Sequence, residues 1–314
     1  MAMRVDPTLV GADVSKAELW LARQDVAGVQ VVVNERGAIR KWLKGLPQGS
    51  RLAVEATNVY HLALVEEAHA LGHQVFVVDG YRLNRYRESV GQRTKTDRTD
   101  AALLLRYLKN EGQDLRPWTP PSAGYLALHR LLHRRATLVQ TRTSLRESLA
   151  DLPELKASVR AVLKRLDNLV IAIEKRLNQL NRAVGRQADV ERCQAIEGIG
   201  PITSTALANA FVRGHFRSSD AYIAFLGMDV RVRDSGKRKG KRCLTKQGDP
   251  EIRRLLYMAA MAAKRTARWK PFYERHIARG LQSTQAIVAL ARKLARVAFA
   301  LMKNQSDYNP ALVG

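Results

Sequence analysis

The sequence has few cysteines, a deficit of acidic residues and no long apolar run. Two cysteines, Cys193 and Cys243, cannot form a disulfide framework, and the cysteines and histidines show none of the spacings typical of a zinc site. No stretch approaches the ~18 uninterrupted apolar residues that a membrane span requires. The first residues contain an early acidic residue and lack the apolar run of a signal peptide. These absences predict a soluble protein of the cytoplasm.

Basic residues are abundant and unevenly distributed along the 314 residues. The chain has 53 Lys and Arg against 29 Asp and Glu, a net charge of +24, with an ordinary hydrophobic content of 46%. The net charge is +2 over residues 1–100, +7 over 101–200 and +15 over 201–314. This asymmetry predicts a surface for a polyanion in the later two thirds. Nucleic acid is the favoured polyanion, and a generally adhesive basic protein is the alternative.

The first part of the chain, residues 1–112, alternates between short apolar runs and helical patterns. Three consecutive strands are predicted before the first helix, followed by two further strand–helix pairs, in the order βββαβαβα. A basic, polar stretch follows the last strand and leads into a helix that begins near Asp97. This order predicts an α/β domain with a mixed sheet.

Four carboxylates of this domain stand out by their positions. Asp13 lies within an apolar strand, Glu55 ends another, and Asp97 and Asp100 are spaced i, i+3 at the start of a helix. In an RNase H-like fold the two strands are neighbours and the helix covers their ends, so the four groups would converge. Oxygen ligands without Cys or His predict Mg²⁺ or Mn²⁺. Helix capping is the alternative for Asp97 and Asp100 taken alone.

The middle of the chain, residues 113–190, reads as long helices with one break at Pro153. Apolar residues recur there at alternating spacings of four and three, a pattern typical of a coiled coil. The positions are Val159, Leu163, Leu166, Val170, Ile173, Leu177, Leu180 and Val184. A helix of an intramolecular bundle shows a similar stripe and remains an alternative. In either case the segment is expected to space the domains and to support dimerisation.

The last part, residues 191–314, is predicted to be helical and to bind phosphate. The glycines of IEGIGPITS fit a helix-hairpin-helix turn, with a plain turn between two core helices as the alternative. A strongly basic segment, RVRDSGKRKGKR, contains Ser235. A serine beside a glycine in a basic turn is either a phosphate contact, which is the commoner role, or a nucleophile toward phosphorus. The residues predicted to contact nucleic acid are Gly198, Gly200, Arg231, Arg233, Lys237, Arg238, Lys239, Lys241, Arg242, Arg253 and Arg254.

Five segments together resemble one known family. They are GADVSKAELWLA, AVEATNVY, KTDRTDA, IEGIGPITS and RDSGKRKGKRCLTKQGDPEIRRLLY. In this order they are similar to the DEDD transposases of insertion sequences, the bridge-RNA-guided recombinases related to the Piv DNA invertase. The resemblance covers nearly the whole chain, from about Val10 to Met302.

The resemblance implies a fold, a chemistry and partners. It implies a RuvC-like first domain whose acidic tetrad, here Asp13, Glu55, Asp97 and Asp100, binds Mg²⁺. It implies a transposase domain in which Ser235 attacks a DNA phosphate and forms a covalent phosphoserine link. Target and donor double-stranded DNA, a non-coding bridge RNA and a homo-dimer or homo-tetramer are the implied partners, in the bacterial cytoplasm at the nucleoid.

A second hypothesis is kept beside this one. A RuvC-like endonuclease would hydrolyse DNA with a metal-activated water, and Ser235 would then only contact phosphate. A third, a non-catalytic architectural DNA binder, would leave the four carboxylates with structural roles.

Overall fold

The computed structural model describes residues 7–231, residue 240 and residues 242–312. The chain divides into two compact units, Met1–Pro120 and Pro121–Gly314. In the first unit the strands are β1 (Leu9–Val14), β2 (Glu18–Arg23), β3 (Val29–Val33), β4 (Arg51–Glu55) and β5 (Gln74–Val78). Its helices are α1 (Arg36–Lys44), α2 (Leu62–Ala70), α3 (Gly80–Ser89) and α4 (Asp97–Glu111).

The five strands of the first unit form one mixed sheet in the order β3-β2-β1-β4-β5. The first three strands pair antiparallel, whereas β1 with β4 and β4 with β5 pair parallel. The predicted mixed α/β sheet is therefore confirmed. The parallel strands are connected through helices because a parallel pair needs a crossover. Strand β1, with Val10 and Ala12 fully buried, is central in this sheet.

Helix α3 was not predicted, and the sequence contains a signal for it. Asp79 precedes the helix and its carboxylate accepts hydrogen bonds from the backbone N–H groups of Tyr81 and Arg82. An Asp that satisfies otherwise unpaired N–H groups in this way is a preferred N-cap. The polar, arginine-rich composition of the helix obscured its amphipathic character, since only Leu83 and Arg87 are buried.

The second unit is helical apart from one short hairpin among its described residues. Its helices are α5 (Ala123–Ser148), α6 (Lys156–Ala183), α7 (Gln187–Gln194), α8 (Pro201–Phe211), α9 (Ser219–Phe225), α10 (Pro250–Ala263), α11 (Lys270–Ala278) and α12 (Ser283–Asn304). Short 3₁₀ turns lie at Pro153–Leu155 and Pro310–Leu312, and two-residue strands β6 (Val230–Arg231) and β7 (Cys243–Leu244) pair antiparallel. In the described part of the chain, no helix is both long and apolar enough to cross a membrane.

Helices α5 and α6 form an antiparallel hairpin that turns at the predicted break, Pro153. Two ion pairs cross it, Arg135 Nε to Glu174 Oε1 at 2.7 Å and Arg142 Nε to Asp167 Oδ1 at 2.6 Å. From the first pair to the second, the residue number rises by seven on α5 and falls by seven on α6, as it must in an antiparallel hairpin. The predicted apolar stripe of α6 is the buried or half-buried face of this helix. The intramolecular alternative thus accounts for the stripe, and a coiled coil between chains stays a prediction.

The core of the second unit is built by the helices that follow this hairpin. Among the described helices, α12 contributes the largest number of buried residues, and its Leu290, Leu294 and Ala298 are fully buried. Tyr222 is completely buried and donates its hydroxyl proton to the Leu207 carbonyl at 2.8 Å, which satisfies the one polar atom of an otherwise apolar contact.

Candidate active site

Asp13 and Glu55 lie side by side at one edge of the first unit's sheet. Ala12 of β1 pairs with Val54 of β4 in parallel register, so the next residues, Asp13 and Glu55, are neighbours near the carboxyl ends of the two strands. Carboxyl ends of parallel strands meet at a common edge, where side chains escape full burial. Both carboxylates are accordingly half-buried beside the fully buried residues that precede them.

Helix α4 brings Asp97 and Asp100 to the same edge. Its start is fixed by a capping box, in which Thr96 Oγ1 accepts from the Thr99 N–H at 3.2 Å and Thr99 Oγ1 accepts from the Thr96 N–H at 2.9 Å. The caps are therefore threonines, which leaves both Asp97 and Asp100 free of the capping role weighed for them.

The close packing of α4 on β1 depends on Gly11. A Cβ atom at this position would overlap the Ala101 carbonyl oxygen and the Leu105 backbone nitrogen. Because Gly11 has no side chain, the helix backbone rests directly on the strand two residues before Asp13. This contact places Asp100, which is 3% exposed, over the end of β1.

Arg87 of α3 is the positive charge next to the buried carboxylate. Its Nη2 lies 2.8 Å from Asp100 Oδ1, and both side chains are almost fully enclosed. The geometry of this ion pair is not that of a hydrogen bond, so Asp100 Oδ1 is a buried oxygen without a hydrogen-bond donor. Arg87 also donates to Asn84 Oδ1 at 2.5 Å, which holds the guanidinium in place. Sequence reasoning missed Arg87 because its partner lies on another helix.

The electrostatics show that the four carboxylates act on one another. Burial raises the pKa of Asp13 to about 6, with further contributions from the negative charges of Asp100, Asp97 and Glu55. Burial, followed by the charge of Asp100, also raises the pKa of Glu55, while Lys95 and Arg87 oppose the rise. The pKa of Asp13 thus responds to all three other carboxylates, and their convergence on one metal site stays a prediction. Such an arrangement concentrates negative charge at a partly buried place, which opposes the ionised form of each carboxyl.

The donor set of this edge fits a hard divalent cation. All four side chains offer carboxylate oxygens, which are the ligands that Mg²⁺ and Mn²⁺ prefer. The ligand atoms are not drawn tightly together, because the one described group with three ligand atoms within 4.8 Å of one another lies elsewhere, at His129, His133 and Asp249.

The segment that contains Ser235 connects the two strands of the second unit's hairpin. Ser235 lies outside the described residues, as do Arg233, Lys237, Arg238, Lys239 and Lys241. The flanks of the segment are described: Arg231 pairs with Cys243, and Thr245 donates its backbone N–H to the Asp229 carbonyl at 3.0 Å. Arg231 and Arg242 are exposed there.

Three of the other residues predicted to contact nucleic acid have contacts within the protein. Arg254 makes a bidentate pair with Glu251, with both N–O distances 2.7 Å, and Arg253 donates to the Gly248 carbonyl at 2.5 Å. Gly198 has a φ of +93°, and a Cβ atom there would lie 2.6 Å from the Ala259 carbonyl oxygen of α10. Gly198 is therefore required for packing, as in the plain-turn alternative, and the helix-hairpin-helix stays a prediction. Around Gly200 there is open space.

Comparison with known proteins places the chain among transposases. A model of DEDD transposases of the IS110 type matches residues 10–173, and a model of the IS116/IS110/IS902 transposase family matches residues 190–274. The pilin gene-inverting protein of Moraxella bovis is 26% identical over 96% of this chain and 98% of its own length. The transposase for insertion sequence element IS1111A of Coxiella burnetii is 28% identical over 52% of this chain and 46% of its own.

Among solved structures, the RuvC protein of T. thermophilus in complex with a Holliday junction matches 36% of this chain and all of its own, with 14% identity and a TM-score of 0.27.

The two family models cover the tetrad and the serine segment in the order in which the sequence presents them. The protein belongs to the IS110 family of transposases, enzymes that cleave and rejoin DNA.

Proposed function

We propose that Asp13, Glu55, Asp97 and Asp100 hold divalent cations, Mg²⁺ or Mn²⁺, for phosphoryl transfer on DNA. The observation that supports this most directly is the raised pKa of Asp13, about 6, caused by burial and by the three other carboxylates. Carboxylates that repel one another in a half-buried place are stabilised by a divalent cation that ligates them. A cation bound there would polarise a phosphodiester oxygen and offset the charge that develops on the oxygens of the reacting phosphate.

Arg87 has a positioning role in this proposal. Its guanidinium lies 2.8 Å from the Asp100 carboxylate and offsets the charge of that buried group. Since the Arg87 side chain is itself buried, it cannot move away to bind DNA without leaving the Asp100 charge unpaired.

We further propose that Ser235 is the nucleophile, as the family resemblance implies. Its oxygen would attack a DNA phosphorus, forming a serine–phosphate ester while the bond from phosphorus to one deoxyribose oxygen breaks and that oxygen takes up a proton. A hydroxyl of a different strand end would then attack the same phosphorus and release the serine. The energy of the phosphodiester is conserved, so strands can be exchanged without a nucleotide cofactor.

The proposed partners are target and donor DNA, a non-coding bridge RNA and further copies of the chain. The net charge of +15 over residues 201–314 is suited to holding backbone phosphates. A protein whose sequence specificity is supplied by a paired RNA needs to hold backbone and shape and does not need to read base edges. The further copies of the chain rest on the family resemblance, which implies a homo-dimer or homo-tetramer.

Detection of a covalent protein–DNA complex on denaturing gels tests the proposal. The full chain, purified with its bound RNA, is incubated in Mg²⁺ with DNA that contains donor and target sites. Ser235→Ala should abolish the adduct, whereas Ser306→Ala, at an exposed serine near the end of α12, should not. Glu55→Gln should abolish cleavage as well, and Glu88→Gln, at an exposed glutamate on α3, should leave it intact.

Each hypothesis gives a distinct pattern in this experiment. If Ser235→Ala still cut DNA in Mg²⁺ while Glu55→Gln did not, the endonuclease with a metal-activated water would be correct and Ser235 would be a phosphate contact. Unchanged cleavage by Glu55→Gln would refute the metal site. Sequencing of the RNA that purifies with the protein tests the guide: heterogeneous cellular RNA without complementarity to either DNA site would contradict it.

A further inference from the structure

A second group of ligand-type side chains lies in the helical unit, separate from the tetrad. His129 and His133 are four residues apart on α5, and Asp249 immediately precedes α10. The ligand atoms of the three side chains lie within 4.8 Å of one another. His133 Nε2 is 2.9 Å from Asp249 Oδ2, and His129 Nδ1 is 3.8 Å from the same oxygen.

The carboxylate of Asp249 is oriented by the helix that follows it. Asp249 is the N-cap of α10, and its Oδ1 accepts a hydrogen bond from the Glu251 N–H at 2.8 Å. Pro250 at the first helical position fixes the backbone beside it. With Oδ1 engaged by the helix, Oδ2 is the oxygen that faces the two histidines. A second contact that orients a ligand is the usual companion of a metal-binding side chain.

The two imidazoles are oriented by their surroundings as well. The His129 ring stacks on Tyr125, with ring centroids 5.6 Å apart and an angle of 10° between the planes. The rings of His129 and His133 are 4.4 Å apart at an angle of 60°. An i, i+4 pair on one helix presents two imidazole nitrogens to one side, which is a recurrent arrangement for binding a transition metal.

We propose that His129, His133 and Asp249 bind a divalent transition-metal ion of the Zn²⁺ class. Two imidazole nitrogens and one carboxylate oxygen form a donor set that suits zinc, whereas the oxygen-only tetrad suits Mg²⁺. On binding, His133 Nε2 gives up the proton that it now donates to Asp249, either to solvent or by a shift of the proton to Nδ1. Its lone pair then faces the ion, and Asp249 Oδ2 exchanges a hydrogen bond for a metal bond.

The proposed ion would have room for a further ligand. His129 and Asp249 also line a cavity of about 300 Å³, together with Tyr125 and Asn209. Three protein ligands with an open position leave space for a water molecule or for a small anion. The ion would tie the first turns of the helical hairpin to the beginning of α10, since its ligands come from both elements. The alternative is that the cluster is only a capping Asp with an ion-paired histidine.

Zinc titration distinguishes a metal site from a cluster that only caps the helix. The full-length protein is stripped of metal with a chelator, and excess Mg²⁺ is then added to fill carboxylate sites before Zn²⁺ is titrated. Wild type should retain one equivalent of Zn²⁺ per chain after dialysis, and Co²⁺ should give the visible absorption of a low-symmetry site with nitrogen ligands. His129→Gln and His133→Gln should lose that equivalent and that absorption. His276→Gln is the matched control, because His276 is also a partly exposed histidine on a helix of the second unit.

Asp249→Asn distinguishes the helix-capping role of Asp249 from its proposed role as a metal ligand. Asparagine caps helices about as well as aspartate, so the unfolding temperature of the metal-free protein should stay near that of wild type. Zinc should raise the unfolding temperature of wild type and of His276→Gln, and this rise should be strongly reduced in Asp249→Asn and absent in His129→Gln. The proposal is overturned if wild type retains no zinc, or if His129→Gln and His133→Gln retain as much as wild type.

Discussion

Replacing Asp13 with asparagine should make the metal-free protein more stable while removing its activity. In the absence of a cation, the Asp13 carboxylate is ionised at neutral pH in a place where burial and three other carboxylates oppose the charge. Asparagine removes the charge and keeps an oxygen that can accept the Val14 N–H, as Asp13 Oδ1 does at 3.0 Å. The repulsion is thus relieved without loss of the local hydrogen bond.

The magnitude follows from the pKa. A rise from 3.8 to about 6 corresponds to at most ~3 kcal/mol of destabilisation at pH 8. Because Asp13 is partly exposed, solvent screening reduces this to about 1–2 kcal/mol. For a unit of this size we expect Asp13→Asn to raise the unfolding temperature by ~4–8 °C in a chelator at pH 8.

The sign of the pH dependence is fixed by the direction of the pKa change. Between about pH 4 and 6 the folded protein binds more protons at Asp13 than the unfolded chain does. Its stability therefore falls as the pH rises through this window. The advantage of Asp13→Asn should be full above about pH 6 and should vanish near pH 4.

Differential scanning calorimetry of the full chain at both pH values measures this effect. Asp25→Asn is a control of opposite sign, because hydrogen bonds from Arg23 and Thr8 lower the pKa of Asp25 to about 2. Asp25→Asn should lower the unfolding temperature at pH 8, since the ionised form is the one that the fold stabilises. An Asp13→Asn protein no more stable than wild type at pH 8 would show that the carboxylates do not repel one another as described.

Three further predictions concern the framework of the site and the hairpin. Gly11→Ala should destabilise the protein by ~2–4 kcal/mol in urea unfolding, because its Cβ would overlap the α4 backbone, whereas Gly37→Ala, which meets open space, should change stability by less than ~1 kcal/mol. Arg87→Gln should raise the pKa of Glu55 further, which moves the acidic limb of the cleavage pH profile to higher pH. Arg142→Ala should cost less than ~1 kcal/mol, because its ion pair on the hairpin is partly exposed.

The elements that carry the four carboxylates were predictable because they have strong local patterns. Asp13 and Glu55 belong to short apolar strands, and the helix that begins at Asp97 is marked by threonine caps and apolar periodicity. Once the strand order is known, parallel pairing brings the ends of β1 and β4 together. The resemblance of five segments to one family implies the chemistry that we propose for those residues, which their spacing does not contain.

The contacts that depend on distant segments were not predictable. Arg87 is one of many arginines in the sequence, and nothing local distinguishes it as the partner of Asp100. The sequence analysis finds no zinc spacing among the cysteines and histidines, because the i, i+4 pair His129–His133 alone offers only two ligands and the third is an aspartate 116 residues beyond His133. The glycine pattern predicts a phosphate-binding turn at Gly198, and only the position of α10 shows that the absent side chain makes room for the backbone at Ala259.

The sequence by itself determined the mixed sheet, the long helices, the surplus of basic charge in the later two thirds and the four carboxylates, because these depend on periodicity, composition and strand order. The tertiary structure alone decided that the apolar stripe of α6 packs on α5, that Arg87 pairs with Asp100, and that two histidines meet Asp249. These contacts depend on the register between elements far apart in the chain. That register is set by packing of the whole unit, and no local segment encodes it.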